Sequence, residues 1–273
     1  MNGTTTPSTR FAAAADGTEI AYEVHGSGPA LVLVDGALCH RAMGPSRGLG
    51  KQLAGSFTVH AYDRRNRGDS GPGASPYAVD REIEDLLAVI AAAGGTAHVL
   101  GASSGAALAL EAARHGAPID RLAVYEAPFI VDGTHRGNDP ELPQRVQEMV
   151  DAGRRGEAVR TFMRTVGVPA PFLALMRLMP VWKQLTAAAH TLPYDLSIVI
   201  AHQQGRPLPA GYYEGVAPST LVIAGGKSPE YLRHAQAAIA DAVPFGLLET
   251  LAGQTHMIKA KVLAPVVTRF FLT

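Results

Sequence analysis

A serine set between glycines carries the clearest chemical signal in this sequence. Residues 98–113 run from an apolar strand through Gly101-Ala-Ser103-Ser-Gly105 into an Ala-rich helix, which fits the pattern G-x-S-x-G. A serine on a tight strand-to-helix turn sits on strained backbone and needs small neighbours if its side chain is to project above a sheet. Here the flanking residues are all Gly, Ala or Ser. The helix that begins at Ser104 also aims free amide hydrogens and its positive dipole end at this spot, which favours a developing oxyanion. The chemistry this suits is attack by Ser103 on an acyl carbon, and such attack needs a base to take the hydroxyl proton. The chain holds ten histidines.

Holding such a serine takes a sheet and covering helices. Residues 11–14 and 19–24, around Asp16-Gly-Thr, read as a hairpin that follows a frayed, polar stretch at 2–8. His25-Gly-Ser-Gly-Pro29 is turn chemistry, and residues 30–34 are apolar on both faces, as a strand inside a sheet must be. Further strands are expected at 57–62, 97–100, 121–125, 220–224 and 245–251. Between 78 and 93, Val79, Ile83, Leu86, Leu87 and Ile90 recur at helical spacing until Gly94 and Gly95 stop them. Strands alternating with helices predict an α/β fold with a mostly parallel sheet covered on both faces, the hairpin adding an antiparallel edge. The alternation breaks once, over 132–217, a mainly helical stretch with no convincing strand. Met149, Met163, Met176, Met179, Phe162, Phe172, Trp182, Tyr194, Tyr212 and Tyr213 lie there. They suit the core of a small helical lobe, and equally a surface over a cleft that takes an irregular apolar ligand.

Composition narrows the partners. The 273 residues carry 24 Lys and Arg against 24 Asp and Glu, a formal charge of zero, so no global field favours a phosphate backbone or an anionic membrane. The one cysteine, Cys39, cannot form an intramolecular disulfide and reads as a small buried filler. No Cys/His cluster has the spacing of a structural zinc site. The opening MNGTTTPSTR lacks the order of a secretory signal and no apolar run reaches membrane-spanning length, so a soluble, cytoplasmic protein is expected.

With these residues in place, the chain resembles the α/β-hydrolase fold family over nearly all of its length. Val34-Asp35-Gly36-Ala37 looks like that family's oxyanion loop after the third strand, with Asp35 where His is common. Tyr62-Asp63-Arg64-Arg65-Asn66-Arg67-Gly68-Asp69-Ser70 looks like its Asp-x-Arg-Gly-x-Gly-x-Ser loop after the fourth, with Asn66 in place of the first Gly and Asp63 as a brace. The resemblance implies an eight-stranded sheet and a single domain: core residues 1–131 and 218–273, with a helical cap at 132–217 inserted after the sixth strand. It makes His256, in Gly253-Gln-Thr-His256-Met257 after the last strand, the general base. His40 and His190 read as solvent-facing or ligand-contacting.

An imidazole that must hold one tautomer and carry charge needs an acid. Most family members place it after the seventh strand, where this chain has Ser228, with Glu230 close by. Glu126, at the carboxyl end of the sixth strand, is the chosen candidate, because in the family's strand order that strand lies beside the nucleophile's. Certain haloalkane dehalogenases and the zearalenone lactonases place a catalytic Glu there. Asp35-Gly36, Ser103-Ser104-Gly105, Glu126 and Pro180-Val181-Trp182 resemble the latter group. Glu230 and the absence of any acid remain open alternatives.

The implied function is acyl transfer on a carboxylic ester or lactone of a neutral, fairly apolar small molecule. Ser103 is the nucleophile, and the amides of Ser104 and of the Gly36-Ala37 turn are the oxyanion donors. Trp182, Met257 and Leu38 are expected to line the substrate. This chemistry calls for no metal or organic cofactor, and a homodimer is left open. The serine disfavours the carboxylate-nucleophile chemistries of the family. Carbon–carbon hydrolysis, cofactor-free perhydrolysis and a receptor-like protein without turnover stay as alternatives, and a Glu126 within hydrogen-bond reach of His256 separates enzyme from receptor.

Overall fold

The central strands bury both faces, and alternate residues divide between two layers of helix. The computed structural model describes residues 8–73 and 76–273, so the expected frayed stretch lies outside them apart from Ser8. In β3 (Ala30–Val34), Leu31 and Leu33 join one core while Val32 and Val34 join the other. The first core is closed by Leu49 and Leu53 of α1 (Pro45–Leu53) and by Leu263, Val267 and Phe271 of α10 (Ala260–Phe271). The second is closed by α2 (Val79–Ala92), α3 (Ser104–Arg114) and α9 (Glu230–Ala242). Each fully buried branched side chain contributes about 1.5 to 3 kcal/mol relative to exposure, which commits these strands to the interior.

The remaining strands are β1 (Arg10–Ala13), β2 (Glu19–His25), β4 (Thr58–Tyr62), β5 (Ala97–Ala102), β6 (Ile119–Tyr125), β7 (Ser219–Gly225) and β8 (Gly246–Leu251). All eight pair into one sheet in the order β1-β2-β4-β3-β5-β6-β7-β8. The expected hairpin is present, and β2 pairs antiparallel with both β1 and β4 while every pairing from β4 to β8 is parallel. β5 is central, and β6 lies between it and β7. The carboxyl ends of these three adjacent strands therefore open on one edge of the sheet, where α/β folds hold their ligands. No described helix is long and apolar enough to cross a membrane.

Between β6 and β7 the chain leaves the sheet for α4 (Leu142–Asp151), α5 (Arg155–Thr165), α6 (Ala170–Met176), α7 (Pro180–Ala188) and α8 (Leu192–Val199). Val146, Val159, Ala189, Leu192 and Leu196 form its own core. The Met and aromatic residues of this segment divide among several environments. Met149, Phe162, Met163 and Trp182 pack on that core, Tyr213 joins the core under the sheet, and Phe172 and Met179 are exposed. Tyr194 stacks flat on Tyr77, with ring centroids 4.0 Å apart.

Buried ion pairs tie the loop after β4 to its surroundings. Arg65 donates from Nε and Nη2 to the two oxygens of Asp85 on α2, both at 2.7 Å, and from Nη1 to Asp16 in the hairpin turn at 3.1 Å. Burial pushes the Asp85 carboxyl up to about 6 even against the pull of Arg65. Arg65→Met would leave that carboxylate buried without its partner. We expect a loss of about 3 to 5 kcal/mol of stability, read as a lower urea midpoint at pH 7.

Candidate active site

Three close backbone approaches build the turn that carries Ser103. A Cβ on Gly101 would lie 2.6 Å from the Gly105 carbonyl oxygen, and one on Gly105 would lie 2.3 Å from that of Val34. One on Gly36 would lie 2.9 Å from the Ser103 Cβ. Glycine at all three lets α3 and the loop after β3 press against the end of β5, and Ser103 is left in left-handed backbone, φ 55 and ψ −125. The strain is held by the packing around it, as a nucleophile turn requires.

Glu126 follows β6 directly and is also left-handed, φ 49. Its side chain is fully buried and reaches across the sheet end. Oε1 accepts the Gly225 amide hydrogen at 2.6 Å, and Oε2 faces His256 Nδ1 at 2.9 Å. The other ring nitrogen, Nε2, lies 3.2 Å from Ser103 Oγ. A carboxylate only accepts, so Nδ1 carries the proton and Nε2 presents its lone pair to the serine hydroxyl. The loop bearing His256 is held by Tyr125, whose hydroxyl donates to the Thr255 carbonyl at 2.6 Å, and by the Lys227 amide, which donates to Gln254 at 2.8 Å.

The position after β7 contributes backbone in place of an acid. Ser228 is buried and its hydroxyl has no hydrogen-bond partner among the described residues, while a Cβ on Gly225 would lie 2.7 Å from that hydroxyl. Glu230 is exposed at the start of α9 and faces His234 on its own helix at 3.7 Å. Of the acids weighed, Glu126 is the one brought to His256.

Around the serine, Gly36 and Ser104 are buried against Ser103, and Ala37 packs on the core of the helical segment. The Ala37 and Ser104 amides donate to no acceptor among the described residues. For Ser104 this is the normal state of a first helical residue. Leu38, left-handed at φ 61, is buried in the core of the helical segment, so packing accounts for its side chain. Trp182 is half-buried against the same core, over Gly156. Met257 stands 77% exposed beside His256.

Asp63 braces its loop as expected, accepting the Arg41 amide at 2.7 Å and the Asp69 amide at 2.9 Å. Asn66, where the resemblance puts Gly, takes φ 62, a conformation Asn tolerates better than most residues. It donates to the Tyr194 hydroxyl at 3.2 Å and accepts His190 Nε2 on its carbonyl at 2.8 Å, so His190 joins the helical segment to this loop. Sequence reasoning missed the charges beneath the site. Arg64 grips Glu82 with two hydrogen bonds, and both Arg64 and Arg67 reach Asp195 of α8.

The alpha/beta hydrolase family model matches residues 24–262. The chain belongs to this family. An alpha/beta hydrolase from Sphaerobacter thermophilus superposes with a TM-score of 0.88 at 45% identity, covering 96% of this chain and 100% of that one. The uncharacterized hydrolase YraK of Bacillus subtilis is 30% identical over 54% of this chain and 55% of its own length. N-formylmaleamate deformylase of Pseudomonas putida is 34% identical over 51% of this chain and 53% of its own. The chain thus spans about half the length of the curated relatives it matches.

One residue departs from the family's loop with a measurable consequence. Asp35 is buried, with Oδ1 accepting the Ser46 amide at the start of α1 at 3.1 Å and Oδ2 without a hydrogen-bond partner among the described residues. Burial pushes its carboxyl up to about 6, against the hydrogen bonds from Ser46 and the charges of Arg67 and Arg64. The folded state then binds this proton more tightly than the unfolded chain, so stability falls as pH rises from about 4 through about 6, by on the order of 3 kcal/mol. Asp35→Asn removes that dependence. The melting-temperature difference between variant and wild type should grow in the variant's favour from pH 4 to pH 7; a flat difference would contradict it.

Proposed function

We propose that this chain is a serine hydrolase that cleaves a carboxylic ester or lactone through an acyl-enzyme. The observation that carries the reading is the unbroken hydrogen-bonded line from the buried Glu126 carboxylate through the His256 ring to Ser103 Oγ. In this reading His256 Nε2 takes the hydroxyl proton as Oγ attacks the carbonyl carbon, and Glu126 stabilises the imidazolium and keeps the ring in place. The oxyanion falls to the Ser104 and Ala37 amides. As the tetrahedral species collapses, His256 returns the proton to the leaving alkoxide. Water, deprotonated by the same nitrogen, then attacks the acyl carbon, and as this second tetrahedral species collapses His256 returns the proton to Ser103 Oγ and the acid leaves. The contact between Glu126 and His256 supports turnover over a receptor-like role. The exposed Met257 beside His256 favours a neutral, fairly apolar substrate.

A second reading rests on one relative. The match to N-formylmaleamate deformylase over half the chain supports an acyl C–N bond as the one cleaved, by the same steps with a carboxamide nitrogen leaving and taking the proton from His256. Parallel assays on p-nitrophenyl acetate, simple lactones and N-formyl amides distinguish the two by relative kcat/KM.

Ser103→Ala should abolish both the burst and the turnover of p-nitrophenol from p-nitrophenyl acetate. Glu126→Gln should be harsher than its size suggests. A carboxamide that donates to Nδ1 forces the proton onto Nε2, so the ring faces Ser103 as a donor and cannot act as its base. We expect kcat to drop by about a hundredfold to ten-thousandfold, with an unfolding midpoint close to wild type. Full activity in that variant would remove Glu126 from the mechanism.

A further inference from the structure

We propose that Asp195 and Arg67 are positioning residues for the oxyanion donors, so that the hole is complete only when the helical segment between β6 and β7 is seated. This rests on the acyl-transfer reading above. Asp195 lies on α8, far from Ser103 in sequence, and is buried. Its Oδ1 accepts the Ser104 hydroxyl at 2.7 Å and Arg64 Nη1 at 2.8 Å, and its Oδ2 accepts Arg67 Nη2 at 2.9 Å. The other terminal nitrogen of Arg67, Nη1, donates to the Gly36 carbonyl at 2.8 Å, and Arg64 Nη1 also reaches the Asp35 carbonyl at 3.3 Å. One carboxylate thus holds Ser104 directly and the Gly36 peptide through one guanidinium.

The consequence follows from peptide geometry. In a trans peptide the C=O and N–H point in opposite directions, so fixing the Gly36 carbonyl on Arg67 fixes the aim of the Ala37 N–H. Gly36 is the residue packed against Ser103, and a Cβ there would lie 3.5 Å from Oγ. Leu38, two residues after Gly36, is left-handed, so this loop does not hold its shape by backbone preference alone. The helical segment supplies the restraint twice, by enclosing Leu38 and by delivering Asp195. Stability gives little reason to keep such charges, because a buried ion network often gains less than a well-packed apolar one. Its planar fork does give direction: two parallel donors on Arg67 set a carbonyl and a carboxylate in one plane.

The test is Arg67→Lys in the full chain, which keeps the charge opposite Asp195 while a single ammonium cannot reproduce the fork. On p-nitrophenyl acetate we expect kcat to fall by about tenfold to hundredfold, with KM within about twofold of wild type. During the burst with a carbonyl-13C-labelled ester, the acyl-enzyme carbonyl band should move to higher wavenumber, because weaker donors polarise it less. A purely structural loss reduces the amount of active enzyme and leaves the band in place, which would overturn the proposal, as would an unchanged kcat. Should Arg67→Lys fail to fold, Ser104→Ala gives the same test, since it removes one hydroxyl from an Ala-rich helix and must shift the band in the same direction. A wild-type protein that shows no burst and takes no fluorophosphonate on Ser103 fails the hydrolase reading itself. An active wild type with an equally active Arg67→Lys fails only the brace.

Discussion

The site depends on how closely α3 approaches the sheet. Ser103 stands in left-handed backbone because Gly101, Gly105 and Gly36 leave no Cβ between α3, β5 and the loop after β3. Any side chain at these positions would have to displace backbone atoms, which have nowhere to move in a sheet paired on both sides. The same approach brings the start of α3 within reach of the Gly36 loop. One steric constraint therefore sets the serine, its helix amides and the neighbouring turn together, and the helix dipole is directed at the place where charge would develop.

In the proposed triad, the position of the acid follows from the strand order. β6 lies between β5 and β7, so a side chain leaving its end begins between Ser103 and Gly225. Glu126 uses its extra methylene and a left-handed backbone to reach His256 from there, and its second oxygen takes the Gly225 amide. Strand β7 then has only to supply an N–H. Ser228 is buried there with a hydroxyl that finds no partner among the described residues, and in the proposed triad no proton has to be held at that position. The neutral hydroxyl after β7 and the carboxylate after β6 are two parts of one arrangement.

What the sequence discloses follows the range of each interaction. The eight strands, helix α2 and the serine turn were legible because each is written in contiguous residues, as period, breakers and small neighbours. Glu126 and His256 were reachable only through a family resemblance, since nothing local says that residues 126 and 256 meet. Asp195, Arg64 and Arg67 gave no signal: a lone Asp in a helical stretch and arginines at two variable positions of a loop motif say nothing of each other until the fold brings them together under Ser104. Leu38 and Trp182 mark the opposite limit. Their apolar character was plain, but whether an apolar residue beside a site faces a ligand or a core is decided by tertiary packing, and both join the core of the helical segment.

The zero net charge also changes meaning once burial is known. Among the described residues, the buried acids are seven, Asp35, Asp63, Glu82, Asp85, Glu111, Glu126 and Asp195, against four buried arginines, 41, 64, 65 and 67. The remaining, solvent-accessible groups therefore hold more cation than anion, and the overall balance is the sum of an acid-rich interior and a mildly basic exterior. A neutral total is thus no argument about the substrate's charge. In the proposed reaction Met257, exposed beside His256, favours an apolar substrate, while the buried arginines are engaged with carboxylates and carbonyls. Charge in this molecule acts mainly inward, in orienting the loop and helix that surround the serine.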